Sequence, residues 1–261
     1  MTSQPILETT DLKLCFGAVT AFEGITLRVD EGELLAVIGP NGAGKTSLFN
    51  VLSCIYRPTS GRVSLRGRDL TTMHVDDLAG AGVARTLQNL GLFRNLSVLN
   101  NVMLGRHHLL RSGALRGGLW YGFARGEERR HRAAAMEALG FCGIERYAGA
   151  YVATLPYGIQ KRVELARALA MEPTLLLLDE PVAGMSTAER DEITALVRRL
   201  HRERGLSVVL VEHDMGMVMQ VAQRVVVLDF GKLIADGTPA AVQRDERVIR
   251  AYLGEPLEAT A

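Results

Sequence analysis

The stretch L-L-A-V-I-G-P-N-G-A-G-K-T, residues 34 to 46, constrains the fold more than any other part of the chain. An almost continuous apolar run of this length is expected for a strand covered on both faces, as in a parallel sheet. Behind it, K-T-S-L-F-N-V-L-S carries apolar residues at helical spacing. The turn between fits G-x-x-x-x-G-K-[ST]. A glycine-rich turn running into a helix N-terminus aims several backbone N–H groups at one place and forms an anion nest. Gly39, Pro40, Asn41, Gly42, Ala43 and Gly44 supply that cradle, and Ser47 continues the first helical turn. Lys45 is the point charge for β- and γ-phosphates, and Thr46 offers a hydroxyl to Mg²⁺. Chance alone produces the pattern in roughly one chain of this length in a hundred, before the strand and helix are required. A nucleotide site outweighs a glycine turn with a solvated lysine.

Two further apolar runs, T-L-L-L-L-D (174 to 179) and S-V-V-L-V-E (207 to 212), predict more parallel strands, with helical stretches between them. Those runs with helices between them make the core α/β, and alternation in I-L-E-T-T-D-L-K-L, I-T-L-R-V-D and G-R-V-S-L-R-G predicts a separate antiparallel layer. At 261 residues the chain fits one large domain or two small ones. A net charge of +1 leaves no excess of basic residues for a nucleic-acid backbone, so no nucleic-acid partner is expected. Three dispersed cysteines suit a reduced compartment better than a disulfide framework or a zinc site. The N-terminus has no leader pattern and no apolar run is long enough to span a bilayer, so the chain is expected to be neither secreted nor membrane-spanning by itself.

Carboxylates mark a second element. L-L-L-L-D-E-P delivers Asp179 and Glu180 at the C-terminal end of a strand, where open α/β sheets bind ligands. Asp179 is expected to hold Mg²⁺ through water, and Glu180 to orient or deprotonate the water that attacks the γ-phosphate. Gln88, closing a strand predicted for V-A-R-T-L-Q, and His213, after V-V-L-V-E, stand at comparable strand ends. D-F-G at 229 to 231 lacks the other kinase motifs and is read as a hairpin turn.

Residues 89–159 interrupt the alternation. R-G-E-E-R-R-H-R-A-A-A-M-E-A-L predicts a helix with a solvated basic face, while 113 to 126 reads either as a flexible loop or, through Trp120, Tyr121 and Phe123, as a small satellite core. After it comes T-L-P-Y-G-I-Q-K-R-V, a helix entrance at which Pro156 and Gly158 flank Tyr157 on an exposed backbone.

This order of elements resembles the ATP-binding-cassette (ABC) ATPases over essentially the whole chain. The resemblance implies a P-loop NTPase (RecA-like) α/β core with an antiparallel layer and a helical insertion. It implies one cassette over 1–255, with 1–88 and 160–255 as catalytic core, 89–159 as helical signature subdomain and 256–261 as tail. Residues 155 to 162 take the place of the L-S-G-G-Q signature, so Pro156, Tyr157, Gly158 and Gln160 would face the γ-phosphate of ATP held by another subunit. Phe16 falls where an aromatic stacks on adenine. Gln88 falls at the magnesium and γ-phosphate glutamine, Glu180 at the general base and His213 at the switch histidine. Departures are Pro156 for the signature serine, Tyr157 and Ile159 for a glycine and a glutamine, and Ser186 for the aspartate of the dimer-contacting loop.

L-P-Y-G, D-E-P-V-A-G-M, V-E-H-D-M, A-R-T-L-Q-N-L-G-L-F-R-N-L-S-V and the tail R-V-I-R-A-Y-L-G-E are similar to the ATPase subunits of branched-chain amino acid importers. The resemblance implies ATP and Mg²⁺ as cofactors and a second ATPase subunit, a sister protein or another copy. It also implies two membrane permease subunits, an indirect link to a secreted solute-binding protein, and a peripheral place on the cytoplasmic face of the membrane. A soluble ABC ATPase of translation or DNA repair would carry two cassettes or long coiled-coil arms. A P-loop kinase or GTPase would lack the signature turn and His213.

Overall fold

The computed structural model describes residues 5–87, 90–110 and 121–253. It divides into one unit of Met1–Leu78 and Leu175–Ala261 and another of Ala79–Thr174. The chain begins in the first unit with β1 (Pro5–Phe16) and β2 (Val19–Asp30), which pair antiparallel. Then come β3 (Leu34–Ile38), α1 (Lys45–Leu52), β4 (Ser60–Leu65) and β5 (Arg68–Asp69). β2, β1, β4 and β5 lie side by side in that order as the antiparallel layer that the alternating segments predict.

The second unit holds β6 (Val83–Arg85) and the helices α2 (Val98–Gly105), α3 (Tyr121–Phe141) and α4 (Tyr157–Ala170). Arg106 joins all three helices. It donates from Nε to His131 Nδ1 on α3 at 2.9 Å and from Nη1 to the carbonyl of Ala170 on α4 at 2.6 Å. Glu128, Arg129, Arg130 and Arg132 of α3 are exposed, as a solvated face requires. The strand expected to run to Gln88 stops at Arg85, because the Leu87 N–H is given instead to the Glu164 carboxylate at 2.7 Å. Gln88, residues 113 to 120 with Trp120, and the side chains of Tyr121 and Phe123 lie outside the described residues.

The chain then returns to the first unit with β7 (Leu175–Asp179), α5 (Thr187–Arg204), β8 (Ser207–Val211) and α6 (Met215–Val221). It ends with β9 (Arg224–Asp229), β10 (Lys232–Gly237), α7 (Pro239–Val242) and α8 (Glu246–Leu253). Strands run in the order β10, β9, β3, β8, β7. β3 lies between β8 and β9, parallel to both, and β7 is parallel to β8. β3, β7 and β8 are buried at every residue, as their unbroken apolar runs predict. β9, a fourth parallel strand, goes beyond the sequence reading. A cluster of Ile38, Val218, Val225, Val227, Ala235 and Val248 packs α6 and α8 against β3, β9 and β10.

Because β9, β3, β8 and β7 are parallel, the residues that follow them emerge along one edge. These are Phe230, Gly39, Glu212 and Glu180. Behind that edge, α5 starts with a capping box. The Ser186 hydroxyl accepts the Glu189 N–H, and the Glu189 carboxylate accepts the Ser186 N–H at 3.0 Å. The serine that departs from the family pattern thus has a helix to start. Replacing it, Ser186→Ala should cost about 1 kcal/mol. In urea unfolding, Ser186→Ala/Glu189→Ala should lose little more than either single variant, since both break one reciprocal motif.

Candidate functional site

The glycine loop lines a cleft of about 380 Å³ whose walls are Val19, Thr20 and Ala21 of β2, residues 41 to 47, Glu180 and Phe230. Its shape depends on missing side chains. A Cβ on Gly39 would stand 2.0 Å from the Leu228 carbonyl oxygen, and one on Gly44 2.8 Å from that of Ala21. Both glycines have positive φ, at 148° and 96°. Gly44 caps α1 with no side-chain hydrogen bond, so the N–H groups of the first turn, which have no partner inside the helix, remain for an anion. Lys45 arches back over the loop, donating to the Gly39 carbonyl at 2.7 Å and to Pro40 at 2.9 Å. Burial holds its ammonium below the usual lysine range, and the Glu180 carboxylate counters part of that. A buried cation whose partners are neutral carbonyls fits phosphate oxygens, and the backbone around it leaves them room.

Glu180 has left the strand conformation. Its φ is 45°, a region that a residue with a β-carbon seldom occupies, and its N–H bonds to the Val211 carbonyl at 2.9 Å. The bend at the end of β7 leaves Glu180 lining the cleft. His213 Nδ1 lies 3.7 Å from Glu180 Oε1, and the His213 side chain is 58% exposed. Its backbone is fixed all the same. Asp214 caps α6 through the Met217 N–H at 2.9 Å and accepts Arg190 of α5 at 2.7 Å. Asp179 is buried at the end of β7, and Thr46 is exposed on the first turn of α1. The described residues contain no cluster of three His, Cys, Asp or Glu able to hold a metal unaided. The Thr46 hydroxyl lines the cleft and the Asp179 carboxylate closes the strand that leads into it, and oxygen ligands of these two kinds are those that suit Mg²⁺ shared with a nucleotide.

Two contributors escape the sequence reading. Glu212 is completely buried and its carboxylate accepts three backbone N–H groups: Val182 at 3.2 Å, His213 at 2.8 Å and Asp214 at 2.9 Å. It joins the turn after Glu180 to the turn bearing His213. Burial pushes its carboxyl up, and the three N–H donors pull it back. An acid closing the run V-V-L-V was the only local signal. The second contributor is Phe230. Phe16 is not among the cleft-lining residues; its ring packs edge-on against Tyr56 with centroids 5.3 Å apart.

In the second unit, Pro156 stands before α4 with extended ψ of 151° and no side-chain cap, and Pro156 and Tyr157 are exposed. Gln160 turns back to donate to the Leu155 carbonyl at 2.7 Å, bracing the turn. Further along α4, buried Glu164 accepts the Leu87 N–H and Arg167 donates to the Gly91 carbonyl at 2.6 Å. One helix therefore grips both flanks of the segment that contains Gln88.

A family model described as ABC transporter matches residues 22–183. The chain belongs to this family. It is an ATPase that binds nucleotide and energises import. A model described as branched-chain amino acid ATP-binding cassette transporter matches residues 232–258. The chain is 38% identical over 253 residues, 97% of its length and 99% of the relative's, to the high-affinity branched-chain amino acid transport ATP-binding protein BraF of Pseudomonas aeruginosa. It is 36% identical, with the same coverage, to LivG of Escherichia coli, which carries the same description. Among solved structures, a nucleotide-free ATP-binding cassette from an ABC transporter matches with a TM-score of 0.82 and 28% identity, covering 96% of this chain and 100% of that one. The dimeric bacterial ABC transporter cassette MJ0796 matches with a TM-score of 0.76 and 26% identity, covering 89% and 98%. Among the described residues no helix is long and apolar enough to cross a membrane.

Truncating the buried carboxylate tests its bridging role. Glu212→Ala leaves buried N–H groups unpaired, which should cost about 1–3 kcal/mol in urea unfolding. The ATPase's kcat should fall well beyond that of Asp214→Asn, with ATP affinity nearly unchanged, since the glycine loop does not depend on Glu212.

Proposed function

We propose that this chain powers the uptake of branched-chain amino acids, or similarly small polar solutes, through separate membrane permease subunits. Each ATP would be sandwiched between two ATPase subunits. The observation that carries the reading is the meeting of Lys45, Thr46 and Glu180 in one cleft, with His213 3.7 Å from Glu180. Lys45 and the first-turn N–H groups would bind the β- and γ-phosphates. Glu180 would accept the proton of the attacking water, and His213 would hold the end of the γ-phosphate and report its loss. Mg²⁺, held by Thr46, by Asp179 through water and by Gln88, would neutralise phosphate charge. The exposed, uncapped entrance of α4 suits an anion brought by a second subunit. That supports the trans role of Pro156, Tyr157 and Gly158, with Gln160 keeping the turn in shape. The names of the relatives and the dimeric cassette support the solute class and the pairing. A single cassette over 1–255, peripheral to the membrane, fits the same picture.

Lys45→Ala should abolish nucleotide binding in calorimetry. Glu180→Gln should keep binding, stop hydrolysis and trap ATP-bound dimers on a sizing column with Mg²⁺; normal turnover would remove Glu180 from its role. At the signature turn, Gly158→Asp should eliminate ATP-dependent pairing in light scattering while monomer affinity is unchanged. Pro156→Ser adds a hydroxyl donor to a charged acceptor, about 1.5–3 kcal/mol, less about 0.4–1 kcal/mol for the lost restraint of proline, and should tighten pairing. The solute itself is tested by ATPase stimulation in the reconstituted complex with a panel of solute-loaded binding proteins. Stimulation by none of the branched-chain amino acids would overturn that part of the reading.

A further inference from the structure

The D-F-G turn is a two-residue hairpin between β9 and β10, with Asp229 opposite Lys232. Its central residues, Phe230 and Gly231, have φ of 42° and 76°, the positive pair of a type I′ turn. That turn favours asparagine, aspartate or glycine at its first position, where a β-carbon is least strained. Phenylalanine there gains nothing locally. Nor does it gain by burial, since Phe230 is 91% exposed, more than any other exposed large hydrophobic side chain described. A strained backbone that presents a bare aromatic ring works against stability, and such positions cluster at sites of function.

Its surroundings identify the ligand. Phe230 follows β9 as Gly39 follows β3 and Glu180 follows β7, on the edge where the parallel strands end. It lines the same cleft as the glycine loop. The turn is also fixed to that loop, for the Gly231 N–H bonds to the Ala43 carbonyl at 3.1 Å and the Glu23 N–H to the Gly231 carbonyl at 3.0 Å. The turn backbone is therefore held against the loop that carries Lys45 and Thr46, whereas the Phe16 ring packs against Tyr56. Apart from Phe230, the exposed large hydrophobic wall of the cleft is Val19, 68% exposed, at the start of β2. Polar groups of the loop receive phosphate, and an aromatic and an aliphatic wall receive the flat, weakly polar part of the same molecule.

We infer that Phe230 is a nucleoside-binding residue, an aromatic wall against which the base and ribose of ATP pack. The inference rests on the reading of this cleft as the ATP site and adds a specificity element to it. An aromatic wall acts on the nucleoside and not on the phosphates, so ADP and pyrophosphate separate the two.

The test uses the full-length chain and calorimetric titration with each ligand in Mg²⁺; ADP avoids turnover and ATP-driven pairing. Phe230→Ala should weaken ADP binding about ten-fold, the order expected for loss of one base–aromatic stack, and leave pyrophosphate within about two-fold. Phe230→Trp should retain ADP binding. Phe230→Gly should weaken ADP equally yet raise Tm by about 2 °C, because glycine relieves the positive φ and no packed ring is lost. ADP binding by Phe230→Ala equal to the parent's would overturn the inference, and so would a fall in Tm in step with affinity. Undiminished nucleotide binding with loss only of ATP-dependent pairing would also overturn it, assigning the ring to the partner subunit. Lys45→Ala must weaken both ligands. If it weakens neither, the reading of the cleft fails, and the Phe230 result then has no bearing on that failure.

Discussion

The nucleotide cleft depends on one close approach of backbone to backbone. The turn after β3 curls against the end of β9 so tightly that a methyl group on Gly39 would overlap the Leu228 carbonyl oxygen, at 2.0 Å. This is possible because β9 is the parallel neighbour of β3, with Ile38 paired to Val227. From that contact the rest follows in order. The loop must use glycine conformations at 39, 42 and 44, α1 must start at Lys45 without a side-chain cap, and the Lys45 ammonium reaches back to the Gly39 and Pro40 carbonyls. The Ala43 carbonyl then receives the N–H of Gly231. The phosphate cradle is thus made by β9 and its hairpin as much as by the motif itself.

At the ends of β7 and β8 one buried carboxylate ties the two turns together through their backbone N–H groups. Glu212 has no exposure and bonds to N–H groups on both turns, while the His213 side chain beside it is 58% exposed. A buried carboxylate is costly unless its lone pairs are filled, and here three backbone donors fill them. Such an anchor fixes the backbone beside His213 and Glu180. Placing these two side chains on loops without that anchor would leave the 3.7 Å spacing of His213 and Glu180 to chance.

Much of this was legible in the sequence, for reasons that individual residues make clear. The runs at 34–39, 174–179 and 207–212 announced buried parallel strands because every residue in them must face a covered surface. The glycine loop was legible because its chemistry is local. β9 is missed because attention falls on the D-F-G turn that ends it, although R-V-V-V-L-D is an apolar run of the same kind as the other parallel strands. V-A-R-T-L-Q predicts strand to its end, and no local pattern reveals that Glu164, 77 positions later, takes the Leu87 N–H. Glu212 was passed over for the same reason, since the Val182 N–H that gives it meaning is 30 positions away.

The helical unit shows why the departures at the signature are tolerable. A helix entrance needs a partner for its first N–H groups, and Pro156 provides none from its side chain. The Pro156 carbonyl takes the Ile159 N–H at 3.1 Å, and Pro156 and Tyr157 are exposed, so an anion brought to this end would meet an accessible turn and the favourable end of the helix dipole. Further along the same helix, Glu164 accepts the Leu87 N–H and Arg167 donates to the Gly91 carbonyl, so the helix that opens at this bare turn is held firmly within its own unit by side chains beyond its first turn.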